Sequence, residues 1–231
     1  MQYIRRANER GTVDLGWLQS QHSFSFGHYY DAAHMGLSVL RVINDDIVQP
    51  GRGFDTHGHQ DMEIISYVVS GAVEHKDNQG NKTRIPAGDV QRMSAGTGIM
   101  HSEYNPSENE EVNFLQIWVL PEKKGLPPSY EQKTIEQQTQ LTALVTPTGD
   151  AGSLSINQNM SMHRLVLGAN ETFTLQSQLG FGYLHIVKGQ LSVDKDSFVK
   201  GDAFATSAKE AIKLIANSDL EAIWFDLPSQ V

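Results

Sequence analysis

The segment from Gly51 to Gly71 has the sequence GRGFDTHGHQDMEIISYVVSG. Alternate side chains of a β-strand project to the same face, so His57 and His59 point the same way along a strand. The apolar and β-branched run that follows Glu63 has the composition of a further strand. A glycine stands at each end of the segment, where the chain is expected to turn. The segment therefore predicts two short strands, the first of which presents two imidazoles on one face.

A second stretch, His101-Ser102-Glu103, begins 42 residues after His59. The same alternation places His101 and Glu103 on one face of their own strand. If the two strands face each other across a barrel, three imidazoles and one carboxylate converge on a point. Such a ligand set suits a divalent transition metal such as iron, nickel, copper or zinc.

Composition narrows the class of protein. The chain has 231 residues, a formal net charge of −9 and no cysteine. The negative charge argues against nucleic-acid phosphates or an anionic membrane as the main partner. Without cysteine there is no disulfide, no iron–sulfur cluster and no thiolate ligand, so a metal must be held by nitrogen and oxygen. The N-terminal sequence lacks a signal-peptide core, and no apolar run approaches the roughly 18 residues of a membrane span. We expect a soluble cytoplasmic protein.

Short apolar runs separated by glycines predict an all-β fold of barrels or sandwiches. Clear examples are Leu37–Ile43, Ile64–Val69 and Phe114–Leu120. The segment Pro121–Gln140 is polar and contains three prolines, which predicts a connector. We therefore predict two tandem jelly-roll-like β-barrels, an N-terminal metal-binding domain over residues 1–130 and a C-terminal domain over residues 131–231.

The second half of the chain partly repeats the first. Tyr67–Val73 resembles His185–Leu191, and Ala87–Val90 resembles Lys200–Ala203. Counting from the matched glycines gives the positions in the second half that correspond to His57, His59, Glu63, His101 and Glu103. They are Leu175, Ser177, Phe181, Leu214 and Ala216. None of these side chains is a metal ligand, so we expect no metal in the second domain.

The spacing of these residues resembles a known superfamily. Gly51-x5-His57-x-His59-x3-Glu63-x7-Gly71, Gly80-x5-Pro86-x-Gly88 and His101-x3-Asn105 are similar to the two motifs of the cupins. More specific stretches resemble the pirin family within the cupins, densely over about residues 1–121 and loosely beyond. They are His22-Ser23-Phe24-Ser25-Phe26, Tyr29-Tyr30-Asp31, Leu40–Asp46, Gly53-Phe54-x-x-His57-x-His59-x-Asp61-Met62-Glu63, His75-x-Asp77-x-x-Gly80-Asn81 and Met93-x-Ala95-Gly96-x-Gly98-x-x-His101-Ser102-Glu103-Tyr104-Asn105. The resemblance is strongest to bacterial members described as quercetin 2,3-dioxygenases, and it implies a bicupin with a single metal, usually iron, in the N-terminal barrel.

Two carboxylates compete for the fourth ligand position. The general cupin pattern uses the position of Glu63, whereas the pirin pattern uses that of Glu103, and both have the right parity. From the pirin resemblance we predict His57, His59, His101 and Glu103 as ligands. Glu63 and Asp61 are then supporting groups or salt-bridge partners, and Asn105 is a turn residue. The remaining histidines of the first half are interpreted as packing or hydrogen-bonding residues, namely His22, His28, His34 and His75.

The resemblance implies a metal-dependent dioxygenase, with Fe(II) as the first expectation and nickel, copper or zinc as alternatives. Its substrates are a flavonol such as quercetin and O2. Glu103 takes the proton of the 3-hydroxyl group before dioxygen opens the central ring with loss of carbon monoxide. The alternative is a pirin-type co-regulator that senses metal or redox state and binds a protein partner without turnover. A roomy pocket beside the metal favours the enzyme. A blocked barrel mouth with an apolar patch on the second domain favours the regulator.

Overall fold

The computed structural model describes residue 1 and residues 3–229, and it confirms the all-β prediction. Strands contain 57% of the residues and helices 3%. The strands, in chain order, are β1 (Tyr3–Arg5), β2 (Gly11–Asp14), β3 (Leu18–His22), β4 (Leu40–Val48), β5 (Gly53–His59), β6 (Glu63–Ser70), β7 (Ala72–Asp77), β8 (Lys82–Pro86), β9 (Asp89–Ser94), β10 (Ile99–Tyr104), β11 (Val112–Val119), β12 (Ser129–Thr134), β13 (Leu141–Thr146), β14 (Leu154–Ser155), β15 (Ser161–Leu167), β16 (Thr172–Leu175), β17 (Gly180–Lys188), β18 (Gln190–Val193), β19 (Asp196–Val199), β20 (Ala203–Ser207), β21 (Ile212–Ala216) and β22 (Leu220–Pro228). Two single-turn 3-10 segments complete the elements, at Ala7–Glu9 and Asp150–Gly152.

The described chain forms two compact units. The N-terminal barrel consists of Gly11–Ile135 together with Leu154–Gln158. The C-terminal barrel consists of Met1–Arg10, Glu136–Ser153 and the chain from Asn159 onward. Each unit thus takes a short segment from the other end of the sequence. The domain boundary between residues 130 and 131 stays a prediction.

The N-terminal barrel has two antiparallel sheets that face each other. The large sheet has the order β12-β9-β6-β11-β4-β3-β2, and the small sheet has the order β5-β10-β7-β8. Alternate residues of both sheets point inward, as expected for strands that are buried on one face. One end of the interior is apolar, with Val48 and Phe114 of the large sheet packed against Val73 and Ile85 of the small one. The residues that carry candidate chemistry occupy the rest of the interior.

A polar row crosses the inner face of the large sheet. Residues that lie directly opposite one another on neighbouring strands form this row, and they are His22, Asn44, Gln116, Ser66 and Gln91. All five side chains are buried. Because buried polar groups are stable only when they find partners, a continuous row of them inside a barrel marks a place where polar groups of another molecule can bind.

The segment Pro121–Gln140, predicted as a connector, contains a strand. β12 pairs with β9 over Ser129–Thr134. Its few apolar residues misled the sequence interpretation, since β12 is fixed mainly by hydrogen bonds. Gln132 Nε2 donates to Oδ2 of Asp89 over 3.0 Å, and Thr134 Oγ1 donates to Oδ1 of the same carboxylate over 2.7 Å.

The C-terminal barrel repeats this design, as the sequence repeat predicted. Its larger sheet runs β1-β20-β17-β22-β15-β13, and its smaller sheet runs β16-β21-β18-β19. The strands between Gly71 and Gly189 and their neighbours correspond, and both glycines adopt positive φ angles of 76° and 82°. The interior differs in chemistry. Leu175, Leu214 and Ala216, which correspond to His57, His101 and Glu103, lie in a closed apolar core. Among the described residues, no helix is long and apolar enough to cross a membrane.

Candidate metal centre

Three histidines of the small sheet bring their ring nitrogens together inside the N-terminal barrel. His101 of β10 lies directly opposite His57 of β5, and His59 is two residues further along the same face. The Nε2 atom of His101 is 3.1 Å from Nε2 of His57 and 3.0 Å from Nε2 of His59. Two strands with matched parity are therefore enough to make three Nε2 atoms converge, as the sequence predicted.

Glu103 follows His101 on the same face of β10. A bulge in the β5–β10 pairing adds one residue to β5, so that Glu103 lies opposite Phe54. Its two carboxylate oxygens bind the large sheet. Ser66 Oγ donates to Oε1 over 3.0 Å, and Gln116 Nε2 donates to Oε2 over 3.3 Å. Glu103 thereby links the polar row to the histidine cluster.

The potential ligand atoms form two groups that share one residue. His57, His59 and His101 make up the first group, and His75, His101 and Glu103 make up the second. Within each group the ligand atoms lie within 4.8 Å of one another. All four predicted ligands therefore belong to one connected set around His101, and the assignment of these four as the ligands of a metal stays a prediction.

The protonation of the histidines suits metal binding. Burial lowers the pKa of His59 to about 4, helped by the charges of His101 and His57. Burial likewise lowers the pKa of His101 to about 3, helped by the charges of His57 and His75. Both rings are neutral at pH 7, which is the form that binds a metal. Nδ1 of His57 is 2.7 Å from the carbonyl oxygen of Asp55 and donates to it, which leaves the Nε2 lone pair free.

His75 is a component of the site that the sequence interpretation did not identify. It is fully buried, and its Nδ1 lies 3.5 Å from Nδ1 of His101. Its other nitrogen is 3.0 Å from Oδ2 of Asp77. Burial alone would raise the pKa of Asp77, but hydrogen bonds from His75, Asn81 and Gln79 outweigh it and lower the pKa. The spacing His75-x-Asp77 beside the His101 strand was the available signal.

Glu63, the competing carboxylate, is engaged elsewhere in the N-terminal barrel. Ser94 Oγ donates to its Oε2 over 2.9 Å, and Asn157 Nδ2 donates to its Oε1 over 3.2 Å. It belongs to neither group of potential ligands. Glu63 therefore fixes the segment Leu154–Gln158 to β6 and β9, while Asp61 accepts a hydrogen bond of 2.7 Å from the backbone N–H of Gly125. This arrangement favours Glu103 over Glu63.

A cavity of about 290 Å³ opens beside the histidines. Its walls are largely aromatic: the ring of Trp118 stands edge-on to His59 at 4.9 Å between centroids, and Phe26 stands edge-on to Trp118 at 5.2 Å. Further residues lining the cavity are Val13, Leu18, Ser20, His22, Gly27, His28, Asn44, Asp46, Phe54, His57 and Gln116. His22 and His28, interpreted as packing residues, thus border the cavity, whereas His34 does not. The volume is near the lower end of the 300–1,000 Å³ typical of small-molecule pockets.

Asp46 is a second buried carboxyl in this cavity, and the sequence interpretation did not identify it. It lies on β4, two residues from Asn44 and on the same inward face. Burial raises its pKa to about 7, a hydrogen bond from Ser20 lowers it, and the charges of Asp45 and Glu103 raise it. The run Asn44-Asp45-Asp46 in the middle of an apolar strand was the signal for it.

Two facing sheets in each of two barrels, with a ligand cluster in only the first described interior, define a bicupin. The family model for pirin matches residues 3–119, and a model described as the quercetinase C-terminal cupin domain matches residues 143–227. A quercetin 2,3-dioxygenase of Escherichia coli strain K12 is 45% identical over 229 residues, which cover 99% of both chains. A pirin-like protein of Caulobacter vibrioides is 40% identical over 94% of this chain and 95% of its own. The chain belongs to the pirin family, as the resemblance implied.

A solved relative carries a metal. The crystal structure of the bacterial pirin YhhW from E. coli in complex with nickel(II) matches 99% of each chain, at 45% identity and a TM-score of 0.94. The backbone described for this chain is therefore that of a pirin for which a complex with a divalent metal is known.

Proposed function

We propose that this protein is a metal-dependent dioxygenase that cleaves a flavonol such as quercetin with O2. The observation that carries the proposal is the convergence of three neutral imidazoles at one wall of an aromatic cavity. The names of similar proteins, including the E. coli quercetin 2,3-dioxygenase, point to the same reaction.

In this proposal His57, His59, His101 and Glu103 hold one divalent transition metal ion. Their donor atoms are nitrogen and oxygen, which suits iron, nickel, copper and zinc alike. Fe(II) is the first expectation, and the nickel complex of the related pirin supports the divalent class. Four protein ligands leave positions free for other molecules when the ion is five- or six-coordinate.

The chemistry divides between the ion and the chain. When bound, the ion supplies a Lewis acid that stabilises negative charge on a substrate oxygen. Phe26, Phe54 and Trp118 provide apolar faces for a flat aromatic substrate and exclude water from the reacting atoms. Ser66 and Gln116 keep the carboxylate of Glu103 directed at the histidines. A polyhydroxylated aromatic fits such a cavity because it combines flat apolar faces with several hydroxyl groups.

The cavity also bears on the alternative of a co-regulator. We expected a roomy pocket next to the histidines in an enzyme and a blocked barrel mouth in a regulator. The cavity of about 290 Å³ beside His57 and His59 supports the enzyme.

A combined metal and oxygen measurement tests the proposal. Protein produced with ample iron is analysed for metal and then mixed with quercetin in an oxygen electrode. We expect about one ion per chain and oxygen uptake that depends on quercetin, together with a shifted quercetin absorption band under anaerobic conditions. His57→Ala removes a ligand and abolishes metal and uptake, whereas His34→Ala, outside the cavity, retains both. Metal-loaded protein that neither perturbs nor consumes any flavonol contradicts the proposed function.

A further inference from the structure

We propose that Asp46, and not Glu103, is the catalytic residue that accepts the proton of the substrate hydroxyl group. The inference rests on the proposed dioxygenase function and names the proton acceptor of that reaction. Asp46 lines the same cavity as His57 and His59, so a substrate that reaches the histidines also reaches its carboxyl group.

The carboxyl group of Asp46 has an oxygen to spare. Its side chain is buried, with 2% of the residue exposed, and among the described residues its Oδ1 atom has no hydrogen-bond partner. Asn44, its neighbour on the inward face of β4, also has an Oδ1 atom without a partner in the described part of the chain. Two buried acceptors without donors stand side by side in a cavity. A ligand that brings hydroxyl groups supplies the donors that both atoms lack.

Glu103 is poorly placed for the same role. Both of its oxygens already accept hydrogen bonds, from Ser66 and from Gln116. It is also absent from the residues that line the cavity. A carboxylate that binds a metal ion is moreover less basic, because the cation stabilises its charged form. Glu103 is therefore suited to hold the ion, and Asp46 to hold the proton.

The proton transfer is balanced without any further reactant. The O–H bond of the substrate breaks, and its electron pair stays on the substrate oxygen. A new O–H bond forms at Oδ1 of Asp46, so that the negative charge moves from the carboxylate to the substrate. The pKa of Asp46, raised by burial, makes the carboxylate a willing acceptor near neutral pH. The charged or titratable groups around it are Asp45 on its own strand, Glu103, and the cavity histidines His22, His28, His57 and His59.

Asp46→Asn tests this assignment, because it keeps the shape of the side chain and removes the acceptor. Under anaerobic conditions the wild-type protein, loaded with metal, is expected to give the absorption band of the quercetin anion. Asp46→Asn is expected to bind quercetin with the band of the neutral form. We expect its kcat/KM for oxygen uptake to fall by about 100-fold or more, with unchanged metal content. Asp45→Asn is the matched control: Asp45 Oδ1 accepts a hydrogen bond of 2.7 Å from Asn113 Nδ2, and Asp45 does not line the cavity. It is expected to stay within about threefold of wild type.

A measurement on the wild type guards against a variant that fails to fold. Anaerobic calorimetry of quercetin binding at pH 8, in two buffers of different ionisation enthalpy, counts the protons released to the solvent. Transfer to a carboxylate predicts almost none, and release of one proton per quercetin overturns the inference. An Asp46→Asn protein with the anion band, wild-type metal content and wild-type rate also overturns it, while the dioxygenase proposal stands. Anion formation by the wild type without oxygen uptake keeps Asp46 as acceptor and overturns the dioxygenase.

Discussion

His75 and His101 lie with their Nδ1 atoms 3.5 Å apart, and the opposite nitrogen of His75 is 3.0 Å from Oδ2 of Asp77. The three residues form a buried chain that ends at the histidine cluster. When the carboxylate of Asp77 accepts Nε2–H of His75, Nδ1 of His75 is left as an acceptor for Nδ1–H of His101. Nε2 of His101 is then unprotonated and directed at His57 and His59. A carboxylate thus controls a proposed ligand from two residues away.

Asp77→Asn is expected to weaken metal binding by about 10–100-fold, the cost typical of losing a hydrogen-bond partner behind a metal ligand. An amide in place of the carboxylate no longer imposes one tautomer on His75 and His101. Competition with a chelator of known affinity measures the change. Glu74→Gln is the control on the same strand, because Glu74 is partly exposed and lies 3.7 Å from Nζ of Lys82. Equal metal affinities of Asp77→Asn and Glu74→Gln would show that the chain of contacts has no role.

Metal binding is also expected to stabilise the fold. An ion at about 100 times its dissociation constant contributes about 2.7 kcal/mol. In a protein of this size that corresponds to a rise in Tm of roughly 5–10 °C. Scanning calorimetry of metal-free protein, with and without added nickel or zinc, measures the rise. His59→Ala is expected to lose most of it, whereas His163→Asn, in the C-terminal barrel, is expected to keep it. An equal rise in both variants would place the stabilising ion elsewhere.

The sequence predicted those parts of the site that depend on strand parity alone. His57 and His59 are two residues apart, as are His101 and Glu103, and alternation fixes which face each pair occupies once the strands form. The all-β class and the repeat followed from short apolar runs and glycine turns. The apolar core around Leu175 and Leu214 is likewise consistent with the residue types at those positions.

The missed parts depend on which strands are neighbours. Asp46 and Gln116 reach the site only because β4 and β11 lie side by side in the large sheet, 70 residues apart in the chain. His75 contacts His101 because β7 pairs with β10 at the register Glu103 opposite His75. No local pattern encodes these pairings. β12 was missed for a similar reason, since its stability comes from hydrogen bonds to Asp89 rather than from its own apolar residues.

The stability of the metal-free protein is expected to depend on pH through His101. Its pKa is about 3 in the folded state against 6.5 for a free histidine. Between these values the unfolded chain binds more protons, so stability is complete above pH 6.5 and falls as the pH decreases. The loss from His101 is on the order of 3 kcal/mol between pH 6.5 and 4. Urea unfolding over this range measures it.

Asp46 contributes with the opposite sign, and a variant separates the two effects. Its pKa is raised from 3.8 to about 7, so the folded state binds the extra proton and stability falls as the pH rises through this window. The difference between wild type and His101→Asn isolates the histidine. We expect the stability gap between the two proteins to change with pH below 6.5 and to be constant above it. A constant gap over the whole range would mean that His101 is not held neutral by burial.

Gly53 and Gly58, on the same strand, are expected to respond differently to alanine. A Cβ atom at Gly53 would lie 2.2 Å from the carbonyl oxygen of Glu103 and 2.5 Å from Cα of Tyr104, both backbone atoms. A Cβ atom at Gly58 would meet first the sulfur of Met100 at 2.9 Å, the end region of a flexible side chain that can move aside. Gly53→Ala therefore pushes β5 away from β10 at the bulge that places Glu103, and we expect at least a tenfold loss of metal affinity because misplaced ligands bind weakly. Gly58→Ala, although next to two of the histidines, is expected to bind metal as the wild type does. Chelator competition on both variants decides the point, and a larger loss for Gly58→Ala than for Gly53→Ala would contradict a ligand set that depends on the backbone contact at Glu103.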